Sequence, residues 1–574
     1  MNRKERRAFG KQQGPGSPAA PLLAEASRQH QAGKLDQAAK LYRRAFALDP
    51  NSAKTLNALA CVLLDLGELE QASARFAQSI TLVPEMFDMQ YPDILQTLAT
   101  VNPPLREALR KSAEAWPRAP SVDELFGTTR LADIVGDPLL RCILESVTVR
   151  DINLENVLTA VRTSLLEVAI AASAGDHVDE NLLAFLCALA KQCFINEYIF
   201  ATAPDEIDKV AALRTRIEEA IETDAPLSPL WPAAAATYFP LNALANAPVL
   251  LSRKWPAALR SVLRQQVEEP QEERELANSI PALTSIDDDV SRRVQQQYEE
   301  SPFPRWVIMP RRFSTRLEDY LSREFPAAII PEARDGLDVL VAGCGTGRHP
   351  IETACMYADM RLLAIDLSLA SLAYAKRKTR EAGIENIEYA QADILNLGTI
   401  GRTFDVISVG GVLHHMADPL QGWRVLVPLL RPRGFMQVAL YSEVGRRHVV
   451  NARAVIAERG YEPTPEGIRR CRRELSMSAA GAVARSKDFY STSECRDFLF
   501  HVQEHRMSIP EISSFLAQNG LRFIGFDIRN EVRETYAARF RDDPHMTNLD
   551  HWHEFETANP TTFTGMYQFW VQKN

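Results

Sequence analysis

The chain has 574 residues, is 46% hydrophobic, and carries 65 Lys and Arg against 74 Asp and Glu, a formal charge of −9. That length supplies several hydrophobic cores rather than one, and the acidic balance offers no global basic field for nucleic acid or an anionic membrane surface. Eight scattered cysteines without a C-x-x-C pair read as reduced, mostly buried thiols of a cytoplasmic protein.

The first segment, MNRKERRAFGKQQGPGSPAA (1–20), is basic, then rich in Gly, Pro, Ser and Ala. It lacks the apolar core of a signal peptide and reads as a disordered tail. Over 21–86 an internal period of 34 pairs Ala26 with Ala60, Gly33 with Gly67, Ala38 with Ala72, Tyr42 with Phe76 and Pro50 with Pro84. Small residues let two antiparallel helices approach, the aromatic fills the gap, and proline stops the second helix. These residues resemble two tetratricopeptide repeats. The resemblance implies a concave face for a protein or peptide partner. A helical cap or a homodimer surface stands open beside it, because stable arrays usually need three or more repeats.

Residues 87–290 are helical in pattern and poor in glycine. Leu182 to Phe200 is apolar nearly all round, which predicts a helix buried in an all-helical middle domain. Its longest apolar run, Leu182 to Ala190, is far shorter than the roughly 20 residues that span a bilayer, so no membrane insertion is expected. The charged, proline-containing tract VEEPQEERE (267–275) predicts a linker between there and residue 290.

From 291 to 574 strands alternate with helices. LVAGCGTGRHP (340–350) reads as strand, tight turn and helix; MRLLAIDLS ends a second strand at Asp366; IEYAQADIL, TFDVISVGGVLHH and GFMQVALYS follow as strands. This order predicts a doubly wound, Rossmann-like α/β sheet. In such sheets a ligand sits beyond the carboxyl ends of the strands, where Gly343, Gly345, Gly347, Asp366, Asp393 and the 410–415 segment all fall. Glycines admit close backbone approach, and a carboxylate ending the second strand can accept both ribose hydroxyls. A dinucleotide would prefer G-x-G-x-x-G, but the third position of that pattern is Arg348, which tilts the reading from NAD to S-adenosylmethionine.

The ordered set GCGTG, Asp366, ADI with Asp393, FDVISVGGVLHH and LRPRGF resembles class I S-adenosylmethionine-dependent methyltransferases. The resemblance implies that Gly343, Cys344, Gly345 and Gly347 lie against the methionine part of the cofactor, with Gly410 nearby. It puts Asp366 and Leu367 at the ribose, and Asp393 and Ile394 at the adenine. Arg433-Gly434 stands where that family usually has Gly-Gly. The flanks VQQQYEESPFPRW, CRDFLFHVQEHR and FTGMYQFWV, with QCFINEYIF in the middle, are similar to a bacterial family joining tetratricopeptide repeats to this domain. That family is distantly similar to bacterial protein-lysine methyltransferases, which implies a protein or peptide acceptor. The same pattern would make the last strand antiparallel beside the fifth.

Methyl transfer mainly requires a positioned, deprotonated acceptor. The resemblance puts the acceptor near the end of the fourth strand, where His415 is a candidate general base because its pKa lies near neutrality. Tyr441 and Tyr490 are candidates to orient a lysine, and Tyr298 to cover the cofactor. Each also has a plain structural reading. HVQEH (501–505) has the spacing of an inverted zinc protease motif, with His501 and His505 on one face if the segment is helical. A catalytic zinc needs a third protein ligand, so no metal is expected; the histidines are a structural pair or line the acceptor pocket. A basic, helical insertion of about 443–507, rich in arginine, is placed to form an acceptor lid, with a solvated helical face as the alternative. The expected function is S-adenosylmethionine-dependent methylation of a protein or peptide recruited by the helical half. Its rivals are a small-molecule methyltransferase whose repeats dimerise, and a cofactor-binding scaffold without transfer.

Overall fold

A computed structural model of the chain describes residues 18–83, 91–127, 132–313, 315–331, 336–478 and 480–574. Residues 1–17 of the expected basic tail, and Pro84 of the repeat, lie outside them. Two compact units divide the chain: residues up to 268 with 307–309, and 269–306 with 310–574. No helix among the described residues is long and apolar enough to cross a membrane.

In the first unit the described regular elements are helices. Ala20–Gln31 pairs with Leu35–Leu48, and Ala53–Asp65 with Leu69–Leu82. The period of 34 has a physical cause: Ala26, Ala38, Ala60 and Ala72 are completely buried where the helices touch, and Tyr42 and Phe76 fill the space beside them. Further along, Glu180–Ile195 is buried on all sides, with Leu183, Phe185, Leu186, Ala188 and Leu189 in the core. The apolar run to Phe200 is nevertheless not one helix. The chain turns back after Ile195, with Glu197 and Tyr198 at φ of 57° and 60° and the Tyr198 N–H bonded to the Cys193 carbonyl. All-round apolarity reports burial, not length.

Of the linker expected between 267 and 290, the charged tract is helical, while residues 278–288 form no helix. A π-turn over Arg264–Glu268 leads from Ala257–Leu263 into the helix Glu269–Ala277, and Pro270, which has no N–H to donate, follows directly on that turn. Within the second unit Glu269 and Glu273 bind Arg377, at 3.1 and 2.8 Å, on the helix Leu369–Glu381. The charge run that reads as solvated linker therefore docks a helix.

The second unit is built on seven strands: β1 Leu337–Ala342, β2 Met360–Asp366, β3 Ile387–Gln391, β4 Phe404–Gly410, β5 Leu430–Leu440, β6 Leu521–Phe526 and β7 Tyr567–Lys573. Their order is 3-2-1-4-5-7-6, parallel except β7, which runs antiparallel to β5 and β6. β1, β2 and β4 read as continuous apolar runs because both faces are covered. Val339, Val341, Leu362 and Ala364 pack into one core, while Leu340, Ala342, Leu363 and Ile365 pack into the other. At the Arg433-Gly434 departure, Arg433 adopts φ of 61°, and a Cβ on Gly434 would lie 2.8 Å from the Asp405 carbonyl oxygen. Only the second glycine of the expected pair is sterically required.

Between β5 and β6 run the helices Arg447–Arg459, Pro465–Ser476, Thr492–Phe500 and Ile509–Gln518 with two short 3-10 turns. Their arginines are not one solvated face. Arg446 and Arg472 are buried, Arg472 donating to the Phe489 carbonyl oxygen at 2.6 Å.

Candidate active site

The strand order reverses between β1 and β4, so their carboxyl ends part and leave a crevice. A cavity of about 420 Å³ opens there. From the β1 turn it is lined by Gly343, Cys344 and Gly345; from β2 by Asp366 and Leu367; beyond β3 by Asp393 and Ile394; and beyond β4 by Gly410 and His415. These nine residues singled out in the sequence line one cavity, and so does Tyr298. Gly347, Tyr441 and Tyr490 do not line it.

The glycines meet protein rather than open space. A Cβ on Gly345 would lie 2.7 Å from the Phe303 carbonyl oxygen, and one on Gly347, at φ of 82°, would lie 2.4 Å from the Ala375 Cβ. Gly347 precedes the helix Arg348–Met356 and lets the turn approach Ala375 of the helix Leu369–Glu381. Gly347→Ala combines a left-handed alanine with an overpacked contact, so a loss of about 2 kcal/mol is expected in chemical denaturation.

Asp366 ties the glycine turn to β2. Its Oδ2 accepts the Gly345 N–H at 2.8 Å and its Oδ1 the Ser368 N–H at 3.0 Å, while burial pushes its pKa up. Asp393 Oδ1 accepts the Leu395 N–H at 3.0 Å; its buried Oδ2 has no hydrogen-bond partner. An orphaned carboxylate oxygen calls for a donor. Together Asp366 and Asp393 put two buried acceptors in one wall, fit for a ligand that brings hydrogen-bond donors.

The roof comes from the segment before the sheet. In the helix Asp289–Glu300, Glu299 accepts the Leu369 and Ala370 N–H groups at 2.5 and 3.1 Å, an acid at a helix N-terminus. This sets Ser291, Val294 and Tyr298 into the cavity wall. Residues 281–283 extend the sheet edge through Leu283 N–H to Gln391 O and Gln391 N–H to Pro281 O, at 2.8 and 2.9 Å. Apart from Tyr298, the sequence reading missed these residues, and it passed over His349. His349 stands within the glycine motif itself, lines the cavity, and bonds Ser408 Oγ through Nε2 at 2.8 Å. For the roof the available signal was the polar run VQQQYEE at 294–300, well before the motif at 340–350.

At the far end His415 Nδ1 lies 2.8 Å from the Gln503 carbonyl oxygen. A carbonyl only accepts, so Nδ1 carries the proton and the lone pair sits on Nε2. Burial lowers the pKa of His415, with Asp497 opposing the shift. Tyr441 is buried between the His414 ring, stacked at 3.7 Å, and the Arg446 guanidinium, 3.6 Å from its centroid. The Tyr490 hydroxyl donates to the Ala484 carbonyl oxygen at 2.9 Å inside the insertion.

HVQEH is not helical, because the preceding helix ends at Phe500. Glu504 binds Arg446 at 2.6 Å, both fully buried, and His505 Nε2 meets Gln503 Nε2. One nitrogen each of His415 and His501 and an Asp497 oxygen do lie within 4.8 Å of one another. Yet the two rings stack at 3.5 Å and 18°, so their in-plane lone pairs do not converge as an ion would require.

A methyltransferase-domain family model matches residues 339–434, the span from β1 through the Arg433-Gly434 turn. The chain carries a class I methyltransferase domain. A tetratricopeptide-repeat model matches residues 29–82. An uncharacterised protein of Synechococcus sp. is 26% identical over 262 residues, 43% of this chain and 63% of that protein. The ubiquinone biosynthesis O-methyltransferase of Methylocella silvestris is 33% identical over 129 residues, 21% of this chain and 49% of that enzyme. Among solved structures, PKMT2 of Rickettsia typhi in complex with AdoHcy is similar at a TM-score of 0.36 and 17% identity, over 46% of this chain and 54% of that one. The chain thus spans between 49% and 63% of the length of these relatives. The methyltransferase domain accounts for the strands that wall the cavity and for His414 and His415 at its far end; the roof, Tyr441 and the segment of Asp497 and Gln503 lie outside the matched span.

Proposed function

We propose that the chain methylates a protein or peptide, using S-adenosylmethionine bound in the cavity at the carboxyl ends of β1 to β4. The observation that carries this is the pair of acids in one wall, Asp366 holding the glycine turn and Asp393 with an unpartnered Oδ2. S-adenosylmethionine, when bound, supplies an electrophilic methyl group on a sulfonium. Asp366 takes the ribose hydroxyls and Asp393 the adenine amine, with Ile394 against the ring. Gly343, Cys344, Gly345, Leu367 and Gly410 wall the remainder, and Gly347 sets the turn from behind. Tyr298 roofs the site and excludes water from it.

The chain's remaining task is to place the acceptor and receive its proton. His415 does this through Nε2. Tyr441 and Tyr490, off the cavity wall, support the far end rather than touch the acceptor. A protein acceptor is supported by the two repeat pairs, whose spacing of buried small residues is that of a peptide-binding array. The relatives named for ubiquinone O-methylation favour a rival, a small apolar acceptor, which Met416 and Met566 in the wall also suit.

The test is to incubate the purified chain with methyl-tritiated S-adenosylmethionine and a lysate of its own source, then separate label by size before and after protease. Label in large, protease-sensitive species is the expected result. Label confined to small molecules hands the activity to the rival. No label beside measurable S-adenosylhomocysteine binding leaves a scaffold.

A further inference from the structure

Behind His415 lies a buried proton network that methyl transfer as stated above does not use. His501 Nδ1 accepts the Gln503 N–H at 3.1 Å, so the proton of its neutral ring sits on Nε2. Nε2 faces the Tyr298 hydroxyl at 3.2 Å, and that hydroxyl donates to Asp497 Oδ1 at 2.6 Å. Every donor in this row therefore points toward Asp497. His415, stacked on His501, has the opposite tautomer, with its lone pair on Nε2. His415, Asp497 and His501 are each more than nine-tenths buried.

A buried carboxylate fed by a tyrosine and set beside two neutral imidazoles costs stability if it does nothing. We propose that Asp497 is the positioning residue and counter-charge for His415, making it able to hold the proton of a hydroxyl or amine acceptor. The acceptor heteroatom bonds to the methyl carbon, the sulfur–carbon bond breaks with its electron pair leaving to sulfur, and the displaced proton goes to His415 Nε2. The imidazolium so formed is balanced by the Asp497 carboxylate, which the Tyr298 hydroxyl holds in place. The acceptor is then a nucleophile that arrives carrying its proton. This rests on the methyltransferase reading above.

The charged surroundings set the sign. Asp497, on the helix Thr492–Phe500, and Glu504, in the segment after it, favour the protonated His415. Burial and Arg446, before the helix Arg447–Arg459, disfavour it, and so do protons on His414 and His501. Tyr298 and Tyr441 have pKa values raised by burial and stay neutral, while Asp488 disfavours the charge on Asp497 and Arg453 disfavours a proton on His501. Removing Asp497 leaves Glu504, already bound to Arg446, as the remaining acid facing the ring.

The experiment follows the histidine resonances of the full chain, labelled with 15N-histidine, across pH; His415 is assigned by its loss in His415→Gln. The expected result is a proton on His415 Nδ1 and on His501 Nε2 at neutral pH, and a His415 pKa about one unit lower in Asp497→Asn. Opposite tautomers, an unmoved pKa in the variant, or a His415 in the unaltered protein that stays neutral down to pH 4 overturns the proposal. If Asp497→Asn fails to fold, Tyr298→Phe, which frees the carboxylate from its hydroxyl donor, is expected to raise the His415 pKa; an unmoved value overturns the proposal equally. S-adenosylhomocysteine binding by calorimetry on the same samples separates the two readings. Absent binding sinks the methyltransferase reading whatever His415 does, whereas intact binding with an unmoved pKa sinks only the role of Asp497.

Discussion

Asp366→Ala is expected to weaken S-adenosylhomocysteine binding by about a hundredfold or more. A carboxylate that accepts two ribose hydroxyls contributes charge-assisted hydrogen bonds worth roughly 1.5–3 kcal/mol each. The same carboxylate also receives the N–H groups of Gly345 and Ser368, so its removal unties the glycine turn from β2. The two losses act on one ligand and compound. Asp366→Asn separates them, since its amide keeps the shape and one acceptor oxygen, and an intermediate affinity is expected. Isothermal calorimetry provides the number, and a melting curve shows that the fold is intact. Affinity within threefold of the unaltered protein would remove the nucleoside from this end of the sheet.

Arg446→Ala should be the most destabilising single change in the second unit's insertion. It strands the Glu504 carboxylate, only 3% exposed, without the guanidinium 2.6 Å away. Breaking a buried pair from one side typically costs 3–5 kcal/mol. Arg453 at 3.6 Å and Arg506 at 3.9 Å compensate in part, which places the expectation near 3 kcal/mol. Tyr441 loses the cation over its ring as well. The double change Arg446→Met with Glu504→Leu removes both charges and is expected to recover most of the stability. Differential scanning calorimetry, which resolves the two units, is the measurement. A loss below 1 kcal/mol in the single variant would mean that Arg453 and Arg506 suffice to hold the Glu504 carboxylate.

The strands and the cavity at their carboxyl ends were legible because parallel strands buried on both faces write continuous apolar runs, and the glycine turn and terminal acids punctuate them. The period of 34 was legible for the same kind of reason: helix contacts demand small residues at fixed places, as at Ala26 and Ala60. Charge runs were misread. Glu269 and Glu273 look solvated in sequence but bind Arg377, and Arg446 looks like part of a basic face but is buried against Glu504, because partners over a hundred or over fifty residues away leave no local trace. HVQEH shows how little spacing alone says of shape, since its histidines fall after a helix end that nothing in their order marks. The roof was half legible: Tyr298 stood out, but the carboxylate of Glu299, which fixes that helix, gave no periodic signal.

The place of β7 bears on how the second unit is assembled. It is the last strand in chain order yet lies inside the sheet, pairing Val438 of β5 with its own Phe569 and Phe523 of β6 with its own Val571. β5 is made more than a hundred residues earlier and must wait for that partner with one edge bare, and its run FMQVAL is apolar enough to pair with a stranger. Closing the sheet thus depends on a contact of very long sequence separation, the kind that forms slowly. The helical insertion and β6 are synthesised during the wait. Nascent chains halted before β7 would hold a nearly complete cofactor wall beside an open seam, which makes that seam the place where a chaperone or an aggregate would first engage the protein.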